Sequence, residues 1–317
     1  MNKTIIAYGL CTVLLASLAN LLSCVSGTLS AEEYYSLGMA YFELATAEKD
    51  AAKRSEKYAE AQKWFNRARS IDKTHAASEY NLGRIAYETG RYEAASEHFE
   101  NILAADPQNI MALKAAAYCK LKLTKYEEVM KLYERIITLV PNDVDDGFNY
   151  ALVLYTMEQY EQARTVLAAF DLMLPENSDA LLLYARTLAK QDNDKALDYY
   201  AQIIAGGNTK LRYEYAQLLE KKELYAKAIE QYRLLLDEAA EQQESVSQQP
   251  SKALASFTLA RLLLTADPDN KEGVTLFEAA IEQGFDDNDA IDELLADKRV
   301  LEAQKSAIRA ARIRSDE

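Results

Sequence analysis

Glycine and proline are scarce, ten and five in 317 residues, too little punctuation for a many-turned β protein and suited to long helices. Histidine is scarcer still. His75 stands at a junction between two candidate helices and His98 beside Phe99; neither has a cysteine or carboxylate at a metal-ligand spacing, and both read as surface residues. Of three cysteines, Cys11 and Cys24 lie within or at the end of an N-terminal apolar stretch, and no disulfide framework is possible if the first is removed and the second modified. Cys119 reads as a small buried apolar residue. The chain also lacks a glycine-rich phosphate loop, a Gly-x-Ser-x-Gly elbow and a Cys-x-x-Cys pair, so nucleotide, acyl-transfer and redox chemistry have no anchor. Acidic clusters at Asp143 to Asp146 and Asp286 to Asp289 lack the order of a calcium loop and precede candidate helices, where they would act as caps. Basic charge is short as well: 36 Lys and Arg against 50 Asp and Glu leave a net charge of −14, which repels a phosphate backbone and sets nucleic acid aside.

What is present begins at the N-terminus. Met1-Asn2-Lys3 is followed by an uncharged run from Thr4 to Leu22, the layout of a secretory signal over residues 1–23. The run ends Leu21-Leu22-Ser23-Cys24, which resembles the lipobox of bacterial lipoproteins. That resemblance implies that Cys24 becomes the lipid-bearing N-terminus and residues 24–30 a short tether. An ordinary cut after a site such as Ser17-Leu18-Ala19, or an uncleaved anchor, stays open. All three readings place the rest of the chain outside the cytoplasm.

Beyond the tether, three prolines, Pro107, Pro141 and Pro175, and three tyrosines, Tyr92, Tyr126 and Tyr160, recur every 34 residues. The cleanest copy, Ala76 to Asn109, holds Leu82-Gly83, Gly90-Arg91-Tyr92, Ala95 with Phe99, and Asp106-Pro107. This pattern resembles the tetratricopeptide repeat, a pair of antiparallel helices. A small residue followed four places later by a large one marks seven units: Ala61/Phe65, Ala95/Phe99, Val129/Tyr133, Ala163/Leu167, Ala196/Tyr200, Ala228/Tyr232 and Gly273/Phe277. Each has a small partner in the preceding helix, Gly38, Gly83, Ala117, Ala151, Ala185, Ala216 or Ala260, because two helices approach closely only where side chains are small. The expected fold is all-α: a right-handed superhelical solenoid of about seven helix pairs over residues 31–284, capped by helix over 285–317.

The departures from the pattern are specific. Thr46 to Lys57 adds an insertion that lengthens the first unit's helices or its turn. The fifth unit ends at Gly206-Gly207, and residues 241–250 form an exposed loop or extended helix end. In the cap, Ile291, Leu294, Leu295, Leu301 and Ile308 are candidate inward residues. Its basic run, Lys298, Arg299, Lys305, Arg309, Arg312 and Arg314, reads first as a solvated face complementing the acidic body.

The family resemblance implies that first helices line the binding side and that function is protein binding without catalysis or cofactor. The candidate partner-binding residues are Tyr35, Phe42, Tyr80, Arg84, Tyr87, Lys114, Tyr118, Phe148, Tyr155, Arg186, Tyr213 and Arg261, with Met39, Leu152 and Phe257 beside them. Aromatic rings with interspersed Arg are the composition of protein-binding hot spots; the alternative use of each ring is packing between neighbouring first helices. The carboxylate clamp of chaperone-binding repeats is not matched, because Lys114 lacks its asparagine companions. Together these features predict a lipid-anchored scaffold facing the periplasm in a bacterial cell envelope, binding other envelope proteins or peptides. The alternative is a ligand-binding or partner subunit of a periplasmic substrate-transport system.

Overall fold

The computed structural model describes residues 29–169, 178–241, 252–267 and 270–315. The signal segment, Cys24 with most of the tether, Pro175 and nearly all of the 241–250 loop lie outside the described residues. The described residues form sixteen α-helices and no strand, as expected for an all-α chain. The chain divides into two compact units, residues 1–159 and 160–317. The first holds α1 (Ala31–Thr46), α2 (Ala51–Ile71), α3 (Ala76–Glu88), α4 (Tyr92–Ala105), α5 (Ile110–Lys122), α6 (Tyr126–Leu139) and α7 (Val144–Thr156). The second holds α8 (Tyr160–Ala168), α9 (Ser178–Lys190), α10 (Lys195–Ala205), α11 (Arg212–Lys221) and α12 (Tyr225–Glu241), then α13 (Lys252–Ala266), α14 (Lys271–Glu282), α15 (Asn288–Ala296) and α16 (Glu302–Ser315).

Short polar side chains start six of the described helices. Ser30 opens α1 with a capping box: its hydroxyl accepts from the Glu33 amide while the Glu33 carboxylate accepts from Ser30. Asp50, Asn109, Asp143, Asn270 and Asp287 each accept an amide three residues on, so the acidic clusters do act as caps. Within most hairpins the first helix ends in one repeated turn. Gly90 has φ +75°, and Thr124, Glu158, Asp192 and Glu223 hold the same left-handed conformation. In each, the next amide reaches back five residues, as from Arg91 to the Ala86 carbonyl at 2.8 Å and from Lys125 to Lys120 at 3.0 Å.

Packing follows the small-then-large rule. The large residues, from Phe65 to Phe277, are all at most 2% exposed, and the alanines before them are fully buried. A Cβ on Gly38 would stand 2.5 Å from the Phe65 ring and one on Gly83 2.7 Å from Phe99, so glycine is required at these crossings. The insertion after Thr46 lengthens α2, which runs 21 residues against 14 for α4.

The C-terminal cap is two helices. Ile291, Leu294 and Ile308 are buried against Phe257, Leu264 and Phe277, and Phe285 stacks on Phe257 at 4.1 Å. Leu295 is half-buried against the same core, but Leu301 is 45% exposed: it sits just before α16, where the chain turns and its amide bonds to Gln304 instead. The basic run is largely paired within the cap, Arg299 with Asp297 and Arg312 with Asp292, and Lys305 is buried.

Candidate functional site

In the first unit, Tyr35 from α1 and Tyr80 from α3 line a cavity of about 270 Å³ with Ala77, Asn81, Ile102 and Met111. Each ring leans on a core phenylalanine, Tyr35 on Phe65 with centroids 5.7 Å apart and Tyr80 edge-on to Phe99 at 5.3 Å. Asn81, 4% exposed, braces them: its amide donates to the Ala77 carbonyl at 2.9 Å and to the Tyr35 hydroxyl at 3.4 Å. Its carbonyl accepts from Arg84 at 3.2 Å, and the exposed Arg84 guanidinium lies 4.4 Å from the Phe42 ring centroid. At the cavity's edge and beyond it the first helices present Met111, Tyr118 and Leu152 at 60%, 43% and 41% exposure. Tyr87, edge-on to Tyr92, and Phe148 and Tyr155 are half-buried, and burial raises the Tyr87 phenol above its ordinary range.

Two predicted groove residues are core residues instead. Phe42 is 3% exposed because the lengthened α2 brings Tyr58 against its ring. Phe257 is 4% exposed because the cap stacks Phe285 on it. Met39 is half-buried against the first unit's core.

Three of the four predicted cations are already paired with carboxylates. Lys114 lies 2.7 Å from Asp146 and 3.3 Å from Asp143; Arg186 grips Glu214 through two bonds of 2.9 and 2.7 Å; Arg261 reaches Glu220 at 2.6 Å. Burial opposes the charge on Lys114, but its two aspartates hold its pKa above the ordinary lysine value. Asp146, 2% exposed, has its carboxyl pushed up by burial. Burial opposes the charge on Glu214 as well, yet Arg186 and Tyr200 keep its pKa below the usual value. These cations therefore join one repeat to the next. The histidines are also built in. His75 caps α3 through Nδ1 and contacts Glu32 at 2.8 Å, and His98 contacts the buried Glu79 at 3.0 Å. Both are half-buried, a correction to their reading as surface residues.

In the second unit, Tyr213 and Arg261 line a larger cavity of about 400 Å³ with Glu220, Tyr232, Thr258 and Arg299. Sequence reasoning missed Asn81, Met111, Glu220, Tyr232 and Arg299. The repeat spacing marks Tyr232 only as a packing residue, and the others show no repeated spacing.

A family model described as "Tetratricopeptide repeat" matches residues 149–210. Over those residues the chain matches the tetratricopeptide repeat. A second model, "Anaphase-promoting complex, cyclosome, subunit 3", matches residues 54–136. Among solved structures, these repeats resemble a tetratricopeptide repeat protein from Parabacteroides merdae, 16% identical, covering 88% of this chain and 99% of that one with a TM-score of 0.50. They also resemble the C-terminal part of a TPR repeat-containing protein from Cytophaga hutchinsonii, 18% identical, covering 82% and 92% with a TM-score of 0.51. At these identities the likeness is one of fold. The Protein CTR9 homolog of Arabidopsis thaliana is 26% identical over 150 residues, 46% of this chain and 14% of the relative. Anaphase-promoting complex subunit 3 of Schizosaccharomyces pombe is 22% identical over 143 residues, 45% and 21%. The chain thus spans less than a quarter of either relative. Repeats of this kind imply a scaffold for protein–protein interaction.

Proposed function

We propose that the chain is a non-catalytic, lipid-anchored scaffold of a bacterial cell envelope, facing the periplasm and binding envelope proteins or peptides through the first helices of its N-terminal unit. The observation that carries this reading is the exposed row Met111, Tyr118 and Leu152 beside the Tyr35–Tyr80 cavity. Large apolar side chains on neighbouring helices, next to braced rings and an exposed arginine, are what a partner can bury at low entropic cost. Anchoring rests on the Leu21-Leu22-Ser23-Cys24 motif.

One experiment tests both parts. Crosslinked partners are co-purified from membranes with the intact chain, with Tyr80→Ala/Arg84→Ala/Met111→Ala, and with Cys24→Ser. The triple variant is expected to remain folded and membrane-bound while losing its partners, and Cys24→Ser to lose the labelled fatty acid that the intact chain takes up. Full partner recovery by the triple variant would refute the binding face; equal fatty-acid labelling of Cys24→Ser, or none in the intact chain, would refute lipidation at Cys24.

A further inference from the structure

The lengthened helix α2 runs against the charge of the chain. On a molecule of net charge −14 it carries six Lys and Arg against two Glu. Lys57 pairs with Glu48, Arg69 with Glu79 and Lys63 with its neighbour Glu60. Lys53, Arg54 and Arg67 are exposed and have no carboxylate partner among the described residues.

Lys53, Lys57, Glu60, Trp64, Arg67 and Ile71 follow one another at steps of three and four residues and so share one face of α2. Arg69, on the opposite face, reaches Glu79 of α3, so this stripe looks away from the second repeat. Its middle is aromatic. Trp64 stacks on Tyr34 with centroids 5.9 Å apart, the Arg67 guanidinium lies 5.6 Å from the Tyr34 ring and the Lys63 Nζ 5.1 Å from the Trp64 ring. Ile71 ends the stripe at 49% exposure. Long cations around an aromatic and an exposed isoleucine are what a helix lying in a lipid interface presents, apolar groups dipping in and charges reaching the headgroups.

The same face adjoins the tether. Leu29 packs on the cluster of Tyr34, Leu37 and Ala68 that Trp64 also packs on. Cys24 lies six residues before Ser30, a covalent reach of about 20 Å at most. The acids nearest the tether are engaged, Glu32 with His75 and Glu33 in the Ser30 cap. Headgroup charge is felt only within about 10 Å in physiological salt, so a tether that holds α2 close makes the attraction effective.

We infer that the α2 stripe of Lys53, Trp64, Arg67 and Ile71, with Arg54 and Lys63 beside it, rests on an anionic lipid surface next to the anchor. The inference deepens the lipid-anchored reading and rests on it for the nearness of the membrane.

The test uses a chain beginning at residue 24 with Cys24→Ser, which carries no lipid and keeps every described residue, so that a failure of lipidation and a failure of this contact are read apart. Trp64 is its single tryptophan, and its fluorescence therefore reports this face alone. Quenching by a nitroxide on the lipid headgroup is titrated with vesicles of phosphatidylcholine alone or with about 30% phosphatidylglycerol. Quenching is expected with the anionic vesicles, not with the neutral ones, and is released by about 0.5 M salt. Lys53→Ala/Arg54→Ala/Arg67→Ala is expected to bind about a hundredfold more weakly. Lys122→Ala/Lys125→Ala/Lys131→Ala, which removes the same charge from exposed positions of the third repeat, is expected to bind as the parent does. Equal quenching by both kinds of vesicle, or equal binding by the two triple variants, would overturn the inference. No quenching at millimolar lipid would overturn it too and leave the stripe to an acidic protein.

Discussion

Cys119 lies in α5 with none of its surface exposed, and burial pushes its thiol up to about 12. Because the thiolate is the nucleophile, a thiol so placed is chemically silent in the native state. In a chain beginning at residue 24 and carrying Cys24→Ser, where Cys119 is the remaining thiol, alkylation is expected to track unfolding by urea. Labelling in native buffer at the rate of a free thiol would contradict the packing of α5. The burial of Cys119 was legible because close helix crossings recur at fixed spacing and small residues mark them. The fate of the cations was not. Lys114 pairs with Asp143 29 residues on, Arg186 with Glu214 28 on, and Arg261 with Glu220 41 back, so no common interval advertises the partners. Phe42 was misread for a related reason, since its ring is covered by Tyr58 of the lengthened α2, just past the insertion that has no counterpart in the other repeats.

At the scale of the helical hairpin, the turn is conserved in conformation while its residue type changes. Gly90, Thr124, Glu158 and Asp192 share one left-handed position 34 residues apart, yet only the first is glycine. A Cβ added at Gly90 would meet nothing within 4 Å, so the cost of Gly90→Ala is purely conformational, about 1 kcal/mol. Thr124 already bears that cost, and its branched Cβ makes left-handed backbone less favourable still. The two substitutions therefore act with opposite signs: Gly90→Ala is expected to lower the urea midpoint and Thr124→Gly to raise it. Equal signs would mean that side-chain contacts, not backbone conformation, govern these turns. The period itself was legible from proline and tyrosine spacing, but the turn at Thr124 was not, because the backbone hydrogen bond back to Lys120 holds it without a glycine to signal it.

Over the whole molecule, ion pairs join successive repeats: Arg69 with Glu79, Lys114 with Asp146, Arg186 with Glu214, Lys222 with Asp194 and Arg233 with Glu272. In an array where each repeat touches its neighbours, such links set local rather than global stability. The division after Gln159 falls between α7 and α8, inside a repeat whose sequence pattern continues unbroken, so sequence marks the repeats but not the two units. Glu214 offers the sharpest test, because its pKa is held below the ordinary 4.5 by Arg186 and Tyr200 against the opposing effect of burial. A lowered carboxyl pKa contributes stability that is present above the unfolded value and is lost as pH falls through the folded value. Acidification below 4.5 is therefore expected to reduce hydrogen-exchange protection factors in α9, α10 and α11. Glu214→Gln should show that reduction already at neutral pH and respond less to acid, with α1 to α6 unchanged by the substitution. Loss of protection spreading into α1 to α6 would show long-range cooperativity that a nearest-neighbour array lacks; no loss in α9 to α11 would show that the pair joins the two repeats without stabilising them.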